Sequence, residues 1–220
     1  MEESVSLLAA LHSVAFNSET PDQLNWGEKK SGKFLVKATF KLLGPQNAIT
    51  DHWPWKLIWK IKLPPKISCF SWTALHGVCL TQDNLTRRKF QMATRCYMCM
   101  KEAETQNHLF LQCQIAADLW SMFLAHFDLT WVMPQNIKDV VISWSCWKVD
   151  STIKRIWKMI PATIFWSIWN ERNRRCFDGI STTYQSLKAN CLMFLYSWVY
   201  LSPLDSPDSF LNFVSSLTLN

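Results

Sequence analysis

Apolar residues recur at every third or fourth position through most of this chain, a spacing typical of amphipathic helices. In its middle part the pattern predicts a helix from about 51 to 59 and a second over 67–75. Pro64 and Pro65 separate the two, because proline lacks an amide donor and disfavours helix in the residue before it. Thr81 is a good N-cap for a short third helix.

Longer helical patterns occupy the second half of the chain. Thr105 or Asn107 is expected to cap a helix whose apolar side ends at Phe123. After a loop near 128–134, three more helices are predicted, over about 137–144, 153–175 and 184–201. Pro161 should kink the second of these or mark a join between two helices.

The N-terminal part carries weaker signals. Residues 1–25 have little periodicity and are expected to form a weakly structured segment. Residues 24–34 alternate around a Gly/Ser-Lys turn, which predicts a small β-hairpin, and a helix over 34–43 should end at Gly44. We therefore predict a mainly α chain with a domain at 26–125 and a helical C-terminal extension at 126–220.

Composition and charge add a candidate partner. Hydrophobic residues make up 49% of the chain and charged residues 18%, which favours a folded protein. Thirteen tryptophans predict a core or a platform built from large rings. The net charge is +6, and between 56 and 101 nine basic residues stand against Asp83 alone. Such a zone predicts an anionic partner, RNA or single-stranded nucleic acid, although a plain solvated surface explains it equally well. The candidate phosphate contacts are Lys60, Lys62, Lys66, Arg87, Arg88, Lys89 and Arg95.

Two further groups of residues each allow a functional and a structural interpretation. Trp53, Trp55, Trp59 and Trp72 could stack on bases, but their apolar neighbours favour a place in the core. Arg172, Arg174 and Arg175 could form a second nucleic-acid contact or a solvated helix end.

The N-terminus starts acidic and lacks the basic region of a signal peptide, and the longest apolar runs are too short to span a bilayer. We expect an intracellular protein, nuclear or cytoplasmic, that is neither secreted nor membrane-bound. Disulfides are then disfavoured, so closely spaced cysteines indicate a metal.

Three cysteines and one histidine lie close together, with the spacing Cys96-x2-Cys99-x8-His108-x4-Cys113. Three thiolates and one imidazole suit Zn²⁺ in a closed, structural site, whereas the alternative is a chance grouping of buried thiols. His108 and Cys113 are five apart and lie ~140° from each other on a regular helix, so the helix must distort before Cys113. The other five cysteines are expected in the core: Cys69, Cys79, Cys146, Cys176 and Cys191.

Several segments, in order, resemble the reverse transcriptase zinc-binding domain of plant non-LTR (LINE-type) retrotransposon polyproteins. They are SGKFLVKATFKLL, WKLIWKIKLPPKISCFSWTALHG, LTQDNLTRRKF, CYMC, ETQNHLFLQC and, more loosely, WNERNRRCF. The resemblance implies the same four zinc ligands. In that family the domain follows a polymerase, but the chain contains no Tyr-x-Asp-Asp signature, which implies a standalone or truncated derivative.

These observations predict a zinc-stabilised helical domain that is a non-catalytic, nucleic-acid-binding module without a small-molecule substrate. One alternative is a zinc-stabilised scaffold that binds a protein partner through an aromatic surface. Another is a degenerate fragment without a selected function. An enzyme is disfavoured, because a four-ligand site leaves no open position for a reacting water.

Overall fold

The computed structural model describes residues 36, 56–91, 93–151, 153–200 and 212–214. These residues are mainly helical, and an isolated antiparallel bridge between Arg95 and Ala103 is the nearest approach to a sheet within them. The α-helices are α1 (Lys56–Trp59), α2 (Pro65–Leu75), α3 (Gln82–Arg87), α4 (Gln114–His126), α5 (Ile137–Ser145), α6 (Lys154–Asn173) and α7 (Tyr184–Val199). Two π-helical turns span His108–Gln112 and Arg174–Asp178.

The prediction of a mainly α chain is confirmed for this part. The helices predicted around 67–75, after Thr81, and over 137–144, 153–175 and 184–201 are all present, with ends that agree to within two residues. The predicted hairpin at 24–34 and the helix at 34–43, apart from residue 36, lie outside the described residues.

The chain divides into two compact units, Met1–His52 and Trp53–Asn220, and all seven helices named above belong to the second unit. α6 is its central helix, because it packs against α2, α4, α5 and α7. Its buried residues include Trp157, Ile160, Ile164, Phe165 and Ile168, with spacings of three or four that continue an apolar stripe along the helix. The helices before and after residue 126 therefore share one core.

Pro161 lies inside α6, and the helix runs on through it, which excludes the predicted join. Proline has no amide hydrogen, so the carbonyl of Trp157, four residues earlier, loses its helical partner. The indole Nε1–H of Trp144 donates to that carbonyl at 2.8 Å, and the indole of Trp157 donates to the Trp144 carbonyl at 3.0 Å. The two rings stack with centroids 4.0 Å apart. α5 thereby satisfies the backbone group that Pro161 leaves open.

The predicted core of large rings is present, but two tryptophans expected there are at the surface. Trp120, Trp144 and Trp157 are at most 2% exposed, whereas Trp59 is 50% and Trp72 41% exposed. Trp72 lies beside the buried stripe of α2, which contains Ser68, Ser71 and Leu75, and it packs on the ring of His76 instead. Trp53 and Trp55 are outside the described residues.

In the part of the chain that the structure describes, no helix combines the length and the apolar character needed to cross a bilayer.

Candidate metal centre

The fold brings Cys96, Cys99, His108 and Cys113 together. Their potential ligand atoms all lie within 4.8 Å of one another. Within this group, Cys99 Sγ and His108 Nε2 are 3.3 Å apart. Cys96 and Cys113 are fully buried, His108 is buried and Cys99 is half-buried. The four residues form a compact pocket of three sulfur donors and one nitrogen donor.

A tight turn presents the first two thiols. The amide of Met100 donates to the Cys96 carbonyl at 2.8 Å, and Met100 itself has a left-handed φ of 58°. The Met98 amide points at Cys96 Sγ, 3.4 Å away. The bridge between Arg95 and Ala103 closes the base of the turn. We call residues 95–103 the knuckle.

A π-helical turn presents the other two ligands. In it the Cys113 amide donates to the His108 carbonyl at 2.7 Å, a bond between residues five apart. A π-turn holds more residues than an α-turn, so positions i and i+5 come onto one side. Cys113 then leaves the helical region, at φ −60° and ψ 134°, and α4 starts at Gln114. The predicted distortion before Cys113 is confirmed. The Thr105 hydroxyl caps the turn by accepting from the His108 amide at 3.1 Å.

The donor set fits a tetrahedral Zn²⁺ ion. Zn–S bonds of ~2.3 Å and Zn–N bonds of ~2.0 Å imply ligand atoms about 3.4–3.8 Å apart, so inward shifts of ~1 Å would complete the shell. Cys96 and Cys113 are hydrogen-bonded to each other, which raises the pKa of Cys96 and lowers the pKa of Cys113. The cluster is compatible with a zinc ion held by four protein atoms.

The knuckle is supported from α6 by a buried ion pair. Arg172 Nη2 lies 2.6 Å from Glu104 Oε1, and their side chains are 2% and 0% exposed. The same carboxylate accepts from the amides of Tyr97 at 3.2 Å and Gln82 at 3.1 Å. Glu104 thus ties the turn between the two cysteines to α3 and to the centre of the core.

A second arginine contacts the knuckle directly. Arg175 Nη1 donates to the Met98 carbonyl at 2.8 Å, and its Nε donates to Glu171 Oε1 at 2.7 Å. Burial alone would raise the pKa of Glu171, but hydrogen bonds from Thr182 and Arg175 bring it below its ordinary value. Glu171 is therefore a charged anchor for Arg175.

These arginines correct the sequence interpretation. Arg172 is neither a nucleic-acid contact nor a solvated helix end, since it is buried against Glu104, and Arg175 is engaged by Met98 and Glu171. Only Arg174 of the three is exposed. The spacing of Glu171 and Arg175, four apart on a helix, was the sequence signal for part of this network.

Two of the seven predicted phosphate contacts line a basic groove. Lys60 and Lys62, between α1 and α2, face Lys154, Arg155 and Lys158 of α6 across a space of about 390 Å³. No carboxylate lines this groove among the described residues. We call the surface lined by these two lysines and the three basic residues of α6 the basic groove. In the sequence they belong to two separate basic stretches.

The other five candidates lie elsewhere. Lys66 sits over the Trp166 ring at 5.2 Å, and Arg87 pairs with Asp83 at 3.6 Å. Arg88, Lys89 and Arg95 are exposed around the end of α3 and the start of the knuckle. None of these five lines the basic groove.

The cysteines outside the cluster differ in exposure. Cys79 and Cys191 are buried, and burial raises their pKa values to about 11 and about 12. Cys176 is half-buried, whereas Cys69 and Cys146 are exposed, so their predicted place in the core was wrong. Cys69 lies on the outer side of α2, and Cys146 follows the last residue of α5.

Comparison with known proteins yields one match. A family model described as zinc-binding in reverse transcriptase matches residues 34–120. This stretch is less than half of the chain, and it contains all four residues of the cluster. Searches of curated proteins and of solved structures give no match. The matched description and the geometry agree on a zinc-type site.

Proposed function

We propose that this chain is a non-catalytic module, stabilised by structural zinc, that binds RNA or single-stranded nucleic acid. The observation that carries the proposal is the basic groove, in which Lys60 and Lys62 meet Lys154, Arg155 and Lys158. Five cations along one open surface suit a row of phosphates, which repel one another unless cations lie between them.

The zinc site has a structural part in this proposal. Cys96, Cys99, His108 and Cys113 fill four positions, so no position is open for a reacting water. The ion would cross-link the knuckle to the π-helical turn and so hold the start of α4.

A single strand suits the groove because its bases are free to stack. Trp59 is half exposed and immediately precedes Lys60 of the groove. Stacking of a base on an exposed ring contributes about 1–3 kcal/mol and tolerates any sequence. From the sequence motifs we further propose an origin in a LINE-type retrotransposon of plants, with which the match to a zinc-binding segment of reverse transcriptase is consistent.

The test is a salt series with the full zinc-loaded chain and a fluorescent ten-nucleotide RNA. Each lost phosphate contact makes the dependence of log affinity on log salt shallower by about 0.7. We expect this change, and weaker binding, for Lys62→Gln and for Lys154→Gln. Lys188→Gln is the matched control, since Lys188 lies over the Tyr184 ring on α7 and outside the groove. A flat salt response, or equal effects of all three substitutions, would refute the proposal.

The second candidate is a protein-interaction scaffold. Large apolar side chains are exposed on the second unit, among them Phe90 at 58%, Met100 at 55% and Phe177 at 75%. Exposed apolar surface of this kind is typical of interfaces. Self-association that RNA leaves unchanged, together with no RNA binding at low salt, would favour the scaffold. If the chain neither self-associates nor binds RNA, the result would favour a degenerate fragment.

A further inference from the structure

An apolar cavity of about 260 Å³ lies directly beside the basic groove. Residues of α1, α2, α5 and α6 form its walls, including Leu63, Trp144, Ala162 and Phe165. Its size is just below the range of about 300–1,000 Å³ found for ligand pockets, and its walls are of the apolar and aromatic type that such pockets have. The space is therefore large enough for a small ring system.

One wall of the cavity carries a hydroxyl group without a partner. Ser71 of α2 is 4% exposed, and its Oγ atom makes no hydrogen bond. A buried hydroxyl without a partner is costly, because it has lost its water without replacing it. A ligand with a polar atom on its edge would satisfy Ser71, whereas an apolar ligand would leave it as it is.

The cavity and the basic groove are continuous. Lys60, Ile61 and Lys158 line both of them. A ligand seated in the cavity would thus pass two ammonium groups at its exit and meet Lys62 and Lys154 beyond them. The site combines an apolar slot, one internal polar group and an external row of cations.

We infer that this cavity takes one base of a single strand, while the adjoining phosphates lie along the basic groove. A nucleobase has the required parts: flat apolar faces for the walls that include Trp144 and Phe165, and edge donors and acceptors for Ser71. An alkyl chain with an anionic head would suit the lysines but would leave Ser71 without a partner. The inference rests on the proposed function and assigns it a specific base-binding position.

The test compares two ligands with equal numbers of phosphates. They are a ten-nucleotide RNA, of uridine or of adenosine, and its counterpart in which every base is removed. In the full zinc-loaded chain, we expect Ser71→Ala to weaken binding of the intact RNA about 5- to 10-fold, by loss of one hydrogen bond. Ala162→Leu, which fills the cavity, should weaken it by more. Neither substitution should change binding of the abasic strand or the salt dependence.

Ser68→Ala is the matched control. Ser68 is also buried on α2, one turn away, and does not line the cavity. Thermal unfolding of each variant shows whether it is folded, and Ser71→Ala should be at least as stable as the original, since it removes a hydroxyl without a partner.

The possible results separate the two proposals. Salt-dependent RNA binding that is insensitive to Ser71→Ala and Ala162→Leu would overturn the base pocket and leave the proposed function intact. If the unsubstituted chain shows no salt-dependent RNA binding, both the base pocket and the proposed function are overturned. A third result would replace the base by an alkyl anion as the occupant of the cavity. In that case the chain would bind dodecanoate, Ala162→Leu would abolish this binding, and intact and abasic strands would bind equally.

Discussion

Arg172 and Glu104 are 68 positions apart in sequence and form a buried ion pair, with Nη2 and Oε1 separated by 2.6 Å. Glu104 also accepts from the Tyr97 amide inside the knuckle. The guanidinium further lies over the Tyr97 and Trp169 rings, at 5.3 Å from each centroid. The segment that matches the family ends at residue 120, so the arginine that pairs with Glu104 beside the knuckle lies outside that segment.

Arg172→Ala should lower the free energy of unfolding by about 3–5 kcal/mol. The substitution leaves the Glu104 carboxylate buried without its cation, which costs more than the ion pair itself contributes. Denaturant unfolding of the zinc-loaded chain measures the change. Zinc affinity should fall as well, because the Tyr97 side of the knuckle loses its anchor.

Arg174→Ala is the control for that prediction, since Arg174 is a neighbouring but exposed arginine. Its effect should stay within about 0.5 kcal/mol, as for other surface substitutions. Similar effects of the two substitutions would mean that the buried pair does not support the knuckle.

The purified chain should contain one equivalent of zinc. Cys96→Ser and Cys113→Ser should each lose the metal and much of the folded structure, because binding of a structural ion contributes directly to folding. Cys146→Ser, at an exposed position, should retain both. Elemental analysis and circular dichroism measure metal and fold in the same samples. A wild-type chain that folds fully after chelation would contradict a structural role for the metal.

The cysteines named here should fall into three classes according to their reactivity toward a thiol reagent. At pH 8 and with zinc bound, Cys69 and Cys146 should react with a thiol reagent first, because they are exposed. Cys79 and Cys191 should stay unmodified, since pKa values of about 11 and about 12 keep the buried thiols protonated at that pH.

The third class depends on the metal. The cluster residues Cys96, Cys99 and Cys113 should become reactive only after a chelator removes the ion. Mass spectrometry of peptides assigns each modified site. Equal labelling of the cluster with and without chelator would exclude metal protection.

Trp144→Phe should destabilise the chain by about 1–3 kcal/mol through the hydrogen bond alone, because the Trp157 carbonyl is left without a donor. Part of this loss should disappear when Pro161→Ala is also present, since the restored backbone amide can then donate to the same carbonyl. The measurement is a double-mutant cycle on unfolding free energies. The packing lost on Trp144→Phe is common to the chains with and without Pro161→Ala, and therefore cancels in the cycle. Strictly additive effects would show that the indole does not replace the missing amide.

Local sequence was sufficient for much of this molecule. Helix positions followed from apolar periodicity, and the grouping of Cys96, Cys99, His108 and Cys113 followed from their spacing. Even the distorted turn before Cys113 could be predicted, because the geometry of a regular helix forbids two ligands five residues apart from facing one ion. Such features depend on residues within one or two turns of each other, where backbone geometry leaves few choices.

Pairings between distant segments were decided by the tertiary structure alone. The periodicity of α6 did not indicate that Arg172 would meet Glu104, that Trp144 would satisfy the carbonyl opposite Pro161, or that Lys158 would face Lys60. Each of these pairings depends on how the helices pack around α6, and packing is set by the whole core at once rather than by any local pattern. The sequence by itself determined which residues can bind a metal, whereas the packing of the helices decided what supports the knuckle and where the cations converge.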